Sequence, residues 1–389
     1  MRPIFGKQND YDHEGKTMKK MNRRTFLKTT AVTAAMTSPL LAIDSEKKED
    51  YKALVCILLE GGADTVNMVV PKFKVDAYKA YRALRGDITP SIASLRTLAG
   101  SRYGLHPQMP KMQRMFNYRD LAVVTNVGTL IHPVTKAQIE HGNKHVELPL
   151  GLFSQMAQQN HWMMSGHDDK GWAGAVADAL AQPHTNVSVG GHNVMQHSNT
   201  YETLMAFEDD KERSLEEQLE KVATLLASRK ELQSPKRQIF FVRHTGWDTH
   251  QKSLDEMQKS DAKMITELDN ALDRFATRLT QLKLDNSVTT FTMFDTSRIT
   301  SADMHGLNYG WGGHAFVMGG AVKAGIHGMM PNIEPNSKDM LPNTALIPTI
   351  STDQYLSTMV NWLCDGKIAL HKIFPNLKHF EAETLQFMI

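Results

Sequence analysis

The chain has 389 residues, 41% hydrophobic and 22% charged, the balance of an ordinary globular protein with room for a large core. Eight Lys and Arg against three Asp and Glu fall within the first 42 residues, which leaves the remainder slightly acidic at 36 against 39. That remainder has no basic run interleaved with aromatics, which argues against nucleic acid as a partner, and two cysteines cannot supply a disulfide framework.

Residues 16–28 read KTMKKMNRRTFLK; a short apolar stretch over 29–36 follows, then Ser38, Pro39, Leu40, Leu41 and Ala42. A basic segment, an apolar segment and small residues in that order make a signal peptide, here residues 1–42. Arg23 and Arg24, with Phe26, Leu27 and Lys28 behind them, resemble the twin-arginine signal, with Asn22 where Ser or Thr is usual. The resemblance implies engagement of the export machinery through Arg23 and Arg24, folding before export, and a periplasmic or secreted mature chain. The Thr-rich stretch is too short and polar to span a bilayer, which takes about 20 apolar residues. No membrane span is expected in residues 43–389.

Along the mature chain, apolar runs at residues 53–59, 121–125, 238–243, 287–294 and 315–318 predict buried strands. Cys56, inside the first run, reads as a small buried hydrophobe. Between the third and fourth runs, Met257, Met264, Ile265, Leu268, Leu272, Phe275, Leu279 and Leu282 recur at helical spacing and predict a long helix over 253–284. The same pattern predicts helices over 214–232 and 352–364. Strands alternating with amphipathic helices predict an α/β fold, with a mostly parallel central sheet and helices on both faces, over residues 43–389. Residues 128–200, rich in Gly, His, Gln, Asn and Met and without periodicity, predict a long irregular cap.

Ligands of open α/β sheets bind outside the carboxyl ends of the strands, where loops from distant parts of the chain meet. Three predicted strands end near a carboxylate: Asp64 behind Gly61 and Gly62, Asp248 within GWDTH, and Asp295 directly after its strand. His250 lies two residues past Asp248. Hard divalent cations prefer carboxylate oxygen and zinc also accepts imidazole. Asp64, Asp248, His250 and Asp295 are therefore the candidate ligands of one divalent metal, whether zinc, manganese, magnesium or calcium. The plainer reading is that an Asp after a strand caps a helix or turn, and His314, His244 and His161 read as structural or surface residues.

The segments LVCILLEGGADTVNMVVP, GLHPQMP, VGTLIHPVTK, LPLGLFSQMAQQNHW, GWDTH, YGWGGHAFVMGGAVKAG and STDQYLSTMVNW, then FPNL, occur in the order found in the domain-of-unknown-function 1501 family. The resemblance covers about residues 50 to 380. It implies the fold of the alkaline phosphatase and sulfatase superfamily, in which a central sheet carries two metal sites at one edge. It also implies metal ligation by Asp64, Asp248 and His250 and substrate binding by Arg298 and Asn67. The chain departs from the family at several positions. Phe294, Asp295, Thr296, Ser297 and Arg298 stand for Ser-Glu-Phe-Gly-Arg, Asn308 and Tyr309 for Asp-His, and Gln155 and Ala157 for His and Asp. At least one metal site is thus expected to be eroded. Thr135, Ser154 and Thr65 are the candidate nucleophiles, and neither cysteine lies in a sulfatase-type Cys-x-Pro-x-Arg sequence. Two functions follow from the resemblance. One is a degenerate binding or assembly component with a periplasmic protein partner, since family members are often encoded beside a second exported family. The other is a metal-dependent hydrolase of phosphate or sulfate esters.

Overall fold

The computed structural model describes residues 50–389 except 119, 143–145, 168, 250, 251, 301–306 and 335. The signal segment with Arg23 and Arg24, and His250 of the candidate metal set, lie outside the described residues.

In chain order the strands are β1 (Lys52–Leu59), β2 (Val69–Pro71), β3 (Arg96–Thr97), β4 (Tyr103–Leu105), β5 (Leu121–Gly128), β6 (Asn186–Ser188), β7 (Leu204–Met205), β8 (Arg237–His244), β9 (Val288–Phe294), β10 (Gly313–Met318), β11 (Gly325–His327) and β12 (Ile350–Ser351). The helices are α1 (Thr65–Met68), α2 (Val75–Arg85), α3 (Pro110–Asn117), α4 (Lys136–Glu140), α5 (Gln155–Met164), α6 (Trp172–Leu180), α7 (Leu215–Ala227), α8 (Leu254–Gln281), α9 (Thr352–Leu363) and α10 (Leu370–Ile373).

The main sheet runs β11-β5-β10-β9-β1-β8-β6-β7, with β12 also on β5; β2, β4 and β3 form a small second sheet. β1 pairs in parallel with β8 on one side and β9 on the other. Among the described strands of the main sheet, only β10 runs against its neighbours, β5 and β9. The reason is local, because no helix spans the chain between β9 and β10 among the described residues and parallel neighbours need a crossover of a dozen residues or more. β5 and β9 are buried along their whole length and β1 from its second residue on. Strands of Val, Ile, Leu and Phe buried on both sides require covering layers on both faces. α3 and α7 each pack against α8, and α6 and α9 each pack against α10.

All five predicted strands form, as do the three predicted helices, within a few residues at their ends. Residues 128–200 are less irregular than their composition suggests. They contain α5 and α6, and β6 joins the main sheet beside β8. The Gln, Asn and His that hide the helical period of α5 include Gln158, which points inward to Thr296 and Gly310.

On α8, Met264, Ile265, Leu268, Leu272 and Phe275 are buried while Lys263 pairs with Glu267 on the exposed side. Leu268→Ala should lower unfolding free energy by about 2–5 kcal/mol through the cavity it leaves. Lys263→Ala should change it by no more than about 0.5 kcal/mol. Urea denaturation of the mature chain measures both, and equal effects would contradict this orientation of α8.

Candidate functional site

The loops that leave β9, β1 and β8 lie side by side at the carboxyl edge of the sheet, because those strands are neighbours. Open α/β sheets place ligands at the carboxyl ends of their strands.

After β1 the chain turns through Gly61 (φ +120°) and Gly62 (φ +83°), backbone that L side chains rarely adopt. A Cβ on Gly61 would lie 2.4 Å from the Asp248 nitrogen, so glycine is also what lets the β1 and β8 loops touch. Asp295 and Arg298, from the loop after β9, hold this turn from both sides. The Gly61 and Gly62 N–H groups donate to Asp295 Oδ2 (2.7 Å) and Oδ1 (2.9 Å). Their carbonyls accept from Arg298, Gly61 from Nη2 (2.8 Å) and Gly62 from Nε (2.6 Å). Arg298 also donates to the carbonyls of Leu307 and Trp247 and to Asp248 Oδ1 (3.3 Å).

Asp295 is fully buried and has two further donors, the Thr296 N–H (2.7 Å) and Gln155 Nε2 (2.6 Å). Its two oxygens thus accept four N–H bonds, about the full acceptor capacity of an ionised carboxylate. Burial pushes its pKa up, and the same N–H donors oppose that shift. The Gln155 oxygen accepts from the Tyr309 hydroxyl (3.1 Å), and the Arg298 guanidinium lies over the Tyr309 ring at 4.8 Å. Asp295, Gln155 and Tyr309 therefore form one hydrogen-bonded string.

Asp64 lies elsewhere in the same loop region. It caps α1 by accepting from the Asn67 N–H, and Arg85 at the end of α2 donates to both its oxygens, Nη2 at 2.9 Å and Nη1 to Oδ2. Both partners are buried. Asn67 accepts from the Tyr81 hydroxyl (2.6 Å) and is itself buried. Asp248 is the one described acid of the set that faces outward, its side chain 59% exposed. The structure thus brings Asp248 and Asp295 together around Arg298 and ties Asp64 to Arg85. Of the proposed nucleophiles, Thr135 and Ser154 cap α4 and α5, and the Thr65 hydroxyl accepts from the His314 N–H.

The described donor set does not fit a divalent cation as it stands. A cation takes lone pairs from carboxylates, and those of Asp295 are filled by N–H groups while Asp64 is engaged by a guanidinium. Among the described residues, no group of three or more His, Cys, Asp or Glu is placed to hold a metal ion.

Two charged residues of this region escaped the sequence reading. Arg85 follows the buried Tyr78 and Tyr81 at helical spacing on α2, and Asp261 falls in the buried phase of α8 between Met257 and Met264. A charge in an apolar stripe was the available signal. Asp261 is pushed up to about 7, chiefly by burial, with the Asp64 charge adding to the shift and Arg298 and Arg85 opposing it.

Residues 192–355 match the family described as "Protein of unknown function (DUF1501)", and residues 20–38 match the twin-arginine translocation pathway signal sequence. No curated protein matches the chain. Similar solved structures include a protein of the alkaline phosphatase superfamily from Vibrio parahaemolyticus, at 12% identity, TM-score 0.41, covering 88% of this chain and 76% of that one. Another is the lipoteichoic acid synthase LtaP from Listeria monocytogenes, at 9%, 0.40, 88% and 78%. A third is the C-terminal periplasmic domain of EcEptC from Escherichia coli in complex with Zn, at 9%, 0.38, 70% and 74%. Likeness at this level speaks to neither substrate nor activity. Residues 192–355 are thus similar to the DUF1501 family, in a chain exported behind a twin-arginine signal.

Proposed function

We propose that this exported protein is a degenerate relative of metal-dependent hydrolases that serves as a binding or assembly component of the periplasm. The observation that carries the reading is the fourfold N–H coordination of Asp295, with Gln155 and Tyr309 in hydrogen bonds where the family pattern supplies imidazole. Guanidinium groups take the place of metal charge: Arg298 beside Asp248 and Arg85 on Asp64. An amide and a phenol are poor zinc ligands, and Arg298, fully buried and donating to four carbonyls, has its donors committed to the fold. Among the described residues of its ligand set, the hydrolase reading keeps only Asp248 as an exposed acid, and one carboxylate does not make a catalytic metal site.

Elemental analysis of the purified mature chain after incubation with zinc or manganese tests the proposal. Fewer than about 0.1 equivalents should be retained. Joint replacement Gln155→His, Asn308→Asp and Tyr309→His, which restores the family's residue types, should raise uptake toward one equivalent. About one equivalent held tightly by the unaltered chain, with turnover of a phosphate or sulfate ester, would overturn the proposal in favour of the hydrolase.

Arg85 matters here as the counter-charge of a buried acid. Arg85→Met should cost about 3–5 kcal/mol by leaving Asp64 uncompensated, and adding Asp64→Leu should recover most of that loss. Equal losses in the single and double variants, measured by denaturant unfolding, would contradict the pairing.

Asp261 gives a pH signature. Its folded pKa of about 7 lies above the ordinary 3.8, so the folded chain keeps a proton that the unfolded chain sheds. Its contribution is complete below about pH 4 and is lost as pH rises toward 7. Asp261→Asn should therefore gain on the unaltered protein by at least about 1 kcal/mol between pH 4 and 7. A stability difference independent of pH would mean that Asp261 is charged in the fold.

A further inference from the structure

At the carboxyl edge of the sheet, α1, β2, α2 and residues 330–334 enclose a cavity of about 430 Å³, within the range of small-molecule sites. Val66, Val69, Tyr81, Tyr103 and Ile333 line it, and His314 is its buried polar group.

His314 sits at an irregularity in the β10 to β5 register, where the pairing shifts between Gly313 and Ala315. Such bulges re-aim a side chain. The opposing strand is strained to match, with the fully buried Asn126 at φ +50° and its Oδ1 without a hydrogen-bond partner. The Asn126 N–H donates to His314 Nδ1 (3.2 Å), and the His314 N–H donates to the Thr65 hydroxyl (2.9 Å). Burial pushes the imidazole down to about 4, so it is neutral. With Nδ1 accepting, the single ring proton is on Nε2, and no described residue accepts it. Asp76 and Glu334 outnumber Lys74 at the mouth, so an anion is disfavoured.

We propose that this cavity binds an uncharged molecule with an aromatic or short aliphatic body, whose carbonyl oxygen accepts from His314 Nε2–H while its body packs between Tyr81 and Tyr103. The site shares no lining residue with the Asp295, Gln155 and Tyr309 string and stands whether or not that string takes a metal.

The test uses the mature chain and two probes of similar shape, acetanilide with a carbonyl and ethylbenzene without one, followed by histidine side-chain NMR. Acetanilide should saturate with a Kd on the order of 1 mM, shift the His314 Nε2–H resonance, and bind at least about tenfold tighter than ethylbenzene. His314→Phe should lose about tenfold in acetanilide affinity. Because that change also strands the Asn126 N–H, Ala77→Trp at the cavity mouth serves as a second variant, leaves the imidazole untouched, and should abolish binding. No saturation by about 20 mM acetanilide, equal binding of ethylbenzene, or full affinity in Ala77→Trp would overturn the proposal.

Discussion

Two adjacent peptide units, those of Gly61 and Gly62, are gripped from both sides by one loop. Asp295 takes their N–H groups and Arg298 takes their carbonyls. Buried backbone groups without partners are costly, and a turn with two positive φ values offers them no ladder of its own. The acid and the base after β9 therefore fix the loop after β1. Through Arg298 the grip extends to Trp247 and Asp248 behind β8 and to Leu307. Three neighbouring strands are tied at the edge where an α/β protein of this kind ordinarily binds its ligand.

This grip shapes the chemistry left at the edge. An acid that accepts four N–H bonds and a guanidinium that donates to four carbonyls hold the scaffold and have little left for a cation or an ester. The charge balance repeats nearby, where Arg85 neutralises Asp64 and burial raises the pKa of Asp261 to about 7. Interlocking acids and guanidinium groups satisfy one another across this region. On the flank of this edge, His314 lines a separate, largely apolar cavity rather than the Asp295 string.

The sheet was legible because its strands are apolar on both faces, and so was α8 because its stripe is long. α5 was hidden by side chains that are polar yet buried: Gln158 satisfies the Gly310 carbonyl and so carries no apolar period. The carboxylates after β1, β8 and β9 were correctly placed at one edge by the strand order. Their partners were not legible, because an ion pair such as Asp64 with Arg85 or a contact such as Gln155 with Asp295 depends on loop paths across 21 and 140 residues of chain. Gln155 and Tyr309 were singled out in the sequence, and only the fold reveals that Tyr309 bonds to Gln155 and Gln155 to Asp295.

Anomalous diffraction at the zinc edge, from crystals of the mature chain grown or soaked with zinc, measures the central claim most directly. The account predicts no anomalous peak within about 4 Å of the Asp295 oxygens and an unbroken hydrogen bond from Gln155 to Asp295. A peak with bonds of about 2 Å to Asp295 or Asp248, with Gln155 displaced, would contradict it.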